Sequence, residues 1–163
     1  EGYGPRGLAV IIETLTDNKN RTIGEVRNCF TKNGGNLGSA GSVAYLFSKK
    51  GILAFDKSKV GDVDAFSMEA IDAGAEDLKV EDEIVEIVTT PESFEQVRDA
   101  LKAKKFVPES AEITMIPSTT VPLTGDDARK ALNLVSKLEE LDDVQAVHAN
   151  FDISDEEIEK ASA

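Results

Sequence analysis

Residues 52–122 carry the hydrophobic pattern of a complete β-α-β-β-α-β unit, while the segments on either side are each too short to close a core. That asymmetry constrains the fold more than any single motif. Residues 52–55 read as a short strand. Asp62 is placed to cap a helix carrying Val63, Phe66, Ala70 and Ile71, which Gly74 closes. Residues 78–80 and 83–88 read as strands. Thr90 caps a second helix with Pro91 at its first position, and Phe94, Val97 and Leu101 supply its buried stripe. Residues 113–116 form the last strand of the set.

Ahead of this unit, residues 8–15 are almost continuously apolar and predict a strand covered on both faces. Asp17, Asn18 and Asn20 form a turn. Thr22 and Glu25 fit a capping box, opening a helix with Ile23, Val26 and Phe30 on its inner face and Asn33, Gly34 and Gly35 at its end. Residues 43–47 predict a second strand. Beyond residue 123, Thr124 and Asp127 open a long helix whose apolar face holds Ala131, Leu134, Val135, Leu138 and Leu141. Residues 144–151 predict a strand, and the acidic residues from Asp152 onward are expected to fray. Pieces of about 50 residues are marginal alone. Joined, the two flanks supply β-α-β-α-β around one sheet. The expected class is therefore α+β: a ferredoxin-like domain, residues 52–122, inserted into a discontinuous domain of residues 1–51 and 123–163. Two sequential domains divided near residue 56 are the simpler alternative.

Charge separates the same regions. The chain carries −13 overall, but residues 1–53 hold seven Lys+Arg against four Asp+Glu. Residues 54–123 are at −9 and residues 124–163 at −7. An acidic surface repels phosphate and anionic lipid, so a nucleic-acid contact is expected before residue 54. No apolar run approaches the ~20 residues of a membrane helix. One cysteine allows no internal disulfide and gives no sign of an oxidising compartment. A cytoplasmic protein is expected.

The motifs are mostly structural in this reading. Gly2, Gly4 and Gly7 spell G-x-G-x-x-G, but ahead of a strand and around Pro5, so a turn is expected rather than a dinucleotide loop. Gly34, Gly35, Gly38 and Gly41 run helix-loop-strand, the reverse of a phosphate loop. Their amides, with Asn36, Ser39 and Ser42, are weighed against a role on a nucleic-acid backbone. Tyr45 reads as core, with base stacking the alternative. His148 has no second ligand at metal spacing, Cys29 reads as a small buried apolar group, and Asp142 with Asp143 read as a solvated turn. Asp152, Ser154 and Glu156 echo a calcium loop, but Glu157 replaces its glycine. No residue reads as catalytic, and neither a cofactor nor a metal is expected.

Several longer strings stand together: Gly2-Tyr3-Gly4-Pro5, Leu15-Thr16-Asp17-Asn18 with Asn20-Arg21-Thr22, and Gly34-Gly35-Asn36-Leu37-Gly38. They continue in Gly41-Ser42-Val43-Ala44-Tyr45-Leu46-Phe47, Ala73-Gly74-Ala75-Glu76-Asp77, Met115-x-Pro117, Asp143-Val144-Gln145 and Asn150-Phe151. In these the chain closely resembles the YebC family, which includes bacterial probable transcriptional regulatory proteins and a mitochondrial translational activator of cytochrome c oxidase subunit one. The resemblance runs from Gly2 to about Asp152. It implies an α+β domain with an inserted ferredoxin-like domain, and a basic N-terminal helical bundle that lies outside this sequence. Arg6 stands where the family usually has glycine.

The resemblance further implies a non-enzymatic regulator, either a DNA-binding transcription regulator or a ribosome-associated factor that helps synthesis through proline-rich stretches. A mitochondrial location follows if the chain is an organellar member. Nucleic acid, whether DNA or ribosomal RNA, is expected mainly on the bundle. On this chain the candidates are Lys19, Arg21, Arg27, Lys32, Asn36, Lys49 and Lys50. A protein partner is the expectation for the acidic insertion, and no membrane contact is expected. By itself the chain is expected to bind nucleic acid weakly or not at all.

Overall fold

The computed structural model describes residues 1–162. In chain order its elements are β1 (Gly2–Tyr3), β2 (Ala9–Thr14), α1 (Lys19–Lys32), β3 (Asn36–Leu37), β4 (Phe47–Asp56), α2 (Val63–Ala73), β5 (Asp77–Val80) and β6 (Ile84–Thr89). There follow α3 (Phe94–Ala103), β7 (Ser110–Pro117), β8 (Val121–Pro122), α4 (Gly125–Glu139), β9 (Val144–Ala149), β10 (Phe151–Asp152) and α5 (Asp155–Ser162). Helices and largely antiparallel sheets make the protein α+β. The chain divides into two compact units, Lys49–Met115 and the pair Glu1–Ser48 with Ile116–Ala163. Both joins fall inside strands, β4 and β7, rather than in linkers.

In the unit Lys49–Met115 the sheet order is β5-β6-β4-β7, with α2 and α3 as the connecting helices. That is the ferredoxin-like order, in which each β-α-β crossover skips one antiparallel neighbour. Leu53 and Phe55 on β4 oppose Ile87 and Val85 on β6, so one face of both strands is apolar. Phe66 and Ala70 of α2, and Phe94, Val97 and Leu101 of α3, close onto that face. Asp62 caps α2 by accepting from the amides of Asp64 and Ala65, and Gly74 ends it at φ +116°. Thr90 and Pro91 form a turn rather than the first turn of α3. The Thr90 hydroxyl accepts from the Ser93 amide, and the helix begins at Phe94.

The other unit closes a four-stranded sheet, β3-β1-β2-β9. The strands β2 and β9 pair antiparallel from Val10↔Ala149 to Thr14↔Val144, joining residues 130 or more positions apart. Leu8 and Val10, Val26 and Phe30 of α1, and Ala131, Leu134 and Leu138 of α4 form its core. Gly2 sits under the Phe30 ring, where a Cβ would lie 2.5 Å from ring carbon, so the first glycine of the run serves close packing.

Four local expectations are corrected here. Residues 43–47 do not form a strand. Residues 44–46 make a 3₁₀ turn, and the following strand is a single ten-residue β4 that absorbs residues 52–55. The amides of Val43 and Ala44 are spent on the Glu1 carboxylate, not on a ladder. Asn18, not Thr22, caps α1 by accepting from the Arg21 amide, so the helix starts earlier and Thr22 replaces Ile23 on the buried face. In the strand β2 only Ala9 and Val10 are buried; Leu15 is exposed beyond it. The acidic tail takes up a helix, α5, with Glu157 accepting from the Gly125 amide at the start of α4.

Candidate nucleic-acid interface

Helix α1 carries most of the candidate cations. Lys19 opens it, Arg27 lies midway and Lys32 ends it, all on the exposed side of the Thr22, Val26 and Phe30 stripe. At 1.5 Å per residue Lys19 and Lys32 are about 20 Å apart along the axis. None of the three pairs with a carboxylate among the described residues. Asn36 is exposed on β3, where its backbone pairs with Tyr3. Lys49 is exposed on β4, and Lys50 is held 2.6 Å from Glu76. Within the first unit, Lys19, Arg27 and Lys32 are spread along α1 rather than gathered at one point.

Arg21 belongs to a different arrangement, one that sequence reasoning missed. Its Nη2 donates to Asp143 Oδ2 at 3.0 Å and to Asp17 Oδ1 at 3.1 Å. The same Asp143 oxygen accepts from Thr22 Oγ1 at 2.7 Å and Thr16 Oγ1 at 3.3 Å. The Thr22 hydroxyl first, and then the Arg21 guanidinium, hold the Asp143 carboxyl below the usual range, while Asp143 raises the Arg21 pKa. Asp143 is thus no solvated turn residue, and the Arg21 charge is neutralised within the chain. The signal was present in the strings themselves, since Thr16, Asp17, Asn18, Arg21, Thr22 and Asp143 all lie in them.

The glycine-rich loop is likewise occupied from inside. The Glu1 carboxylate accepts from the amides of Gly41 at 2.6 Å, Val43 at 3.1 Å and Ala44 at 2.7 Å. Those donors, Gly41 first, lower the Glu1 pKa despite the opposing cost of burial. A cradle of amides is an anion site in form, and here its anion is a side chain of the same chain. Tyr45, read as core, is 77% exposed on the 3₁₀ turn of residues 44–46 that follows this loop. Its phenol is free to meet solvent because Val43, not Tyr45, points inward.

His148 on β9 lies 3.3 Å from Glu13 on β2, a cross-strand contact. Cys29 is half-buried against Lys137, and burial pushes its thiol pKa up, which disfavours the reactive thiolate. Among the described residues no three His, Cys, Asp or Glu side chains cluster as a metal site. None of the helices described is long and apolar enough to cross a membrane.

Fold and surface together define an α+β protein with a ferredoxin-like unit and a cationic helix on a discontinuous one. Residues 1–151 match the model of the TACO1/YebC second and third domain, and the chain belongs to that family. It is 51% identical over 162 residues to a probable transcriptional regulatory protein of Dictyoglomus turgidum, covering 99% of this chain and 65% of the relative. A protein of the same description from Trichlorobacter lovleyi is 55% identical over 160 residues, covering 98% and 64%. The chain therefore spans just under two thirds of the length of these relatives. Among solved structures, a conserved hypothetical protein of Aquifex aeolicus, Aq1575, superposes with a TM-score of 0.78 at 43% identity, over 94% of this chain and 63% of that one.

Proposed function

We propose that the protein is a non-enzymatic, nucleic-acid-associated regulator acting as a DNA-binding transcriptional regulator in the cytoplasm. In this proposal residues 52–122 form an inserted domain free to meet a protein partner. Membership of a family whose relatives are described as probable transcriptional regulatory proteins supports the regulator part of this reading. The observation on this chain that carries it is the exposed Lys19, Arg27 and Lys32 along α1, which pair with no carboxylate among the described residues, on a molecule at −13 overall. Several phosphates must be neutralised for binding, so affinity should fall steeply with salt. The test is crosslinking of the full-length protein in cells, followed by sequencing of the recovered nucleic acid. Recovery of promoter DNA supports the proposal. Recovery of ribosomal RNA alone overturns it in favour of a ribosome-associated factor.

A further inference from the structure

The expectation that phosphate contacts lie before residue 54 rests on charge counted along the chain. Packing redistributes that charge. The C-terminal end of α1 lies against α4, where the Asn133 side-chain amide donates to Asn33 Oδ1 at 2.6 Å and the Lys130 stem runs past Gly34. Between them opens a cleft of about 780 Å³, which Ile158 of α5 also lines. Lys32, Arg129 and Lys130 line it together with Asn33, Asn133 and Ser136. Among the described residues lining it, none is acidic.

Three cations lining one cleft, with no carboxylate among the described lining residues, are a pronounced exception in a chain of 31 acidic and 18 basic residues. Arg129 has one partner, the exposed Asp126 at 3.0 Å, an (i, i+3) pair of little strength in water. Lys32 and Lys130 pair with no carboxylate among the described residues. The partial negative charge at the end of α1 is also largely answered. Phe30 O accepts from the amides of Asn33 and Gly35, and Cys29 O accepts from Asn33 Nδ2. Beside the apolar Leu132 and Ile158, the polar groups of the cleft are ammonium, guanidinium and neutral amide or hydroxyl. That donor set suits phosphodiester oxygens: charge for the anion, neutral donors for its orientation.

We propose that this cleft binds the phosphodiester backbone of a nucleic acid, with Lys32, Lys130 and Arg129 supplying the charge. The inference rests on the nucleic-acid reading above and deepens it by placing a contact on this chain, two of whose cations lie beyond residue 54. With two or three phosphates neutralised, the logarithm of the binding constant should fall with the logarithm of salt with a slope of about −2 to −3.

The test is NMR titration of the isotope-labelled 163-residue chain at low salt, in separate arms, with duplex DNA and with hairpin RNA of matched length. The expected result is shifts centred on the amides of Lys32, Gly34, Lys130 and Asn133. The double variant Lys32→Glu with Lys130→Glu should bind about tenfold or more weakly. The pair Lys79→Glu with Lys102→Glu makes the same change in net charge elsewhere and should leave the cleft shifts in place. The spectra report directly whether each variant is folded. The arm giving the stronger shifts assigns DNA or RNA as the source of the phosphates. Shifts centred elsewhere, no shifts in either arm, or equal weakening by both double variants overturns the cleft. Those results leave the crosslinking of the full-length protein to decide the regulator reading independently.

Discussion

In the unit Lys49–Met115, Phe66 meets Phe55 and Phe106 edge-on at centroid distances of 4.9 and 4.8 Å, and the longer-range polar contacts are exposed ion pairs such as Lys59 with Glu109 and Lys104 with Glu69. In the unit assembled from the two chain ends, polar contacts reach across more than 100 residues and several are shielded from water. Asp143 gathers Thr16, Arg21 and Thr22. Asn150, 3% exposed, accepts from the Ala9 amide at 2.8 Å and donates to Thr119 O at 3.2 Å. The contrast has a physical basis. A contiguous unit can find its register from hydrophobic periodicity. A discontinuous one must also choose between alternative pairings of distant strands, and directional hydrogen bonds discriminate register where apolar contacts are tolerant.

The sharpest way to break that comparison is to attack the apolar unit. Phe66→Ala removes a ring that is 1% exposed and contacts two others, and stability read from the exchange of residues 49–115 should fall by about 3–5 kcal/mol. A loss under about 1 kcal/mol would show that aromatic packing does not hold this unit. In the discontinuous unit, Asn150→Ala should cost about 1–3 kcal/mol, because it leaves the Ala9 amide unsatisfied in a buried strand. Hydrogen exchange at Ala9 should rise with it; unchanged protection there would mean that Asn150 does not set the β2–β9 register.

Acid tests the same unit through Asp143. Its folded pKa lies below the unfolded value of about 3.9, so its contribution is present above that pH and lost as pH falls through the lower folded value. Wild type should therefore exceed Asp143→Asn in stability at neutral pH, with the gap closing in acid. A gap independent of pH would rule out the network's charge as its source. The smallest effect concerns Arg6, held at φ +58° in the left-handed region with only a 3.6 Å exposed pair to Asp127. Arg6→Gly should raise the thermal midpoint by an amount equivalent to about 1 kcal/mol or less, since the strain relieved exceeds the weak ion pair lost. A lowered midpoint would show the Arg6–Asp127 contact to be the stronger term. The left-handed backbone also explains why glycine suits this position.

Much of the fold was legible because its determinants are local. The Asp62 cap, the Gly74 stop and the Phe94, Val97, Leu101 stripe each depend on residues within two turns of one another. Thr22 was misread for the opposite reason. Its spacing to Glu25 satisfies a capping box, yet its hydroxyl is claimed by a carboxylate 121 positions away. Tyr45 sat in an apolar string whose amides Glu1 withdraws from strand pairing. Of the candidate interface, Arg27 was visible as a helix cation on the exposed face, whereas the place of Lys19 on the helix rather than in the turn, the neutralisation of Arg21 and the approach of Arg129 and Lys130 to Lys32 were not.

The sequence by itself determined the α+β class, the apolar faces of α2, α3 and α4, the Asp62 cap, and the family, because each is written in short-range pattern or in long unbroken strings. The tertiary structure alone decided which charges are spent and which remain available. An ion pair depends on where two side chains end up in space, and periodicity carries no information about partners a hundred residues apart.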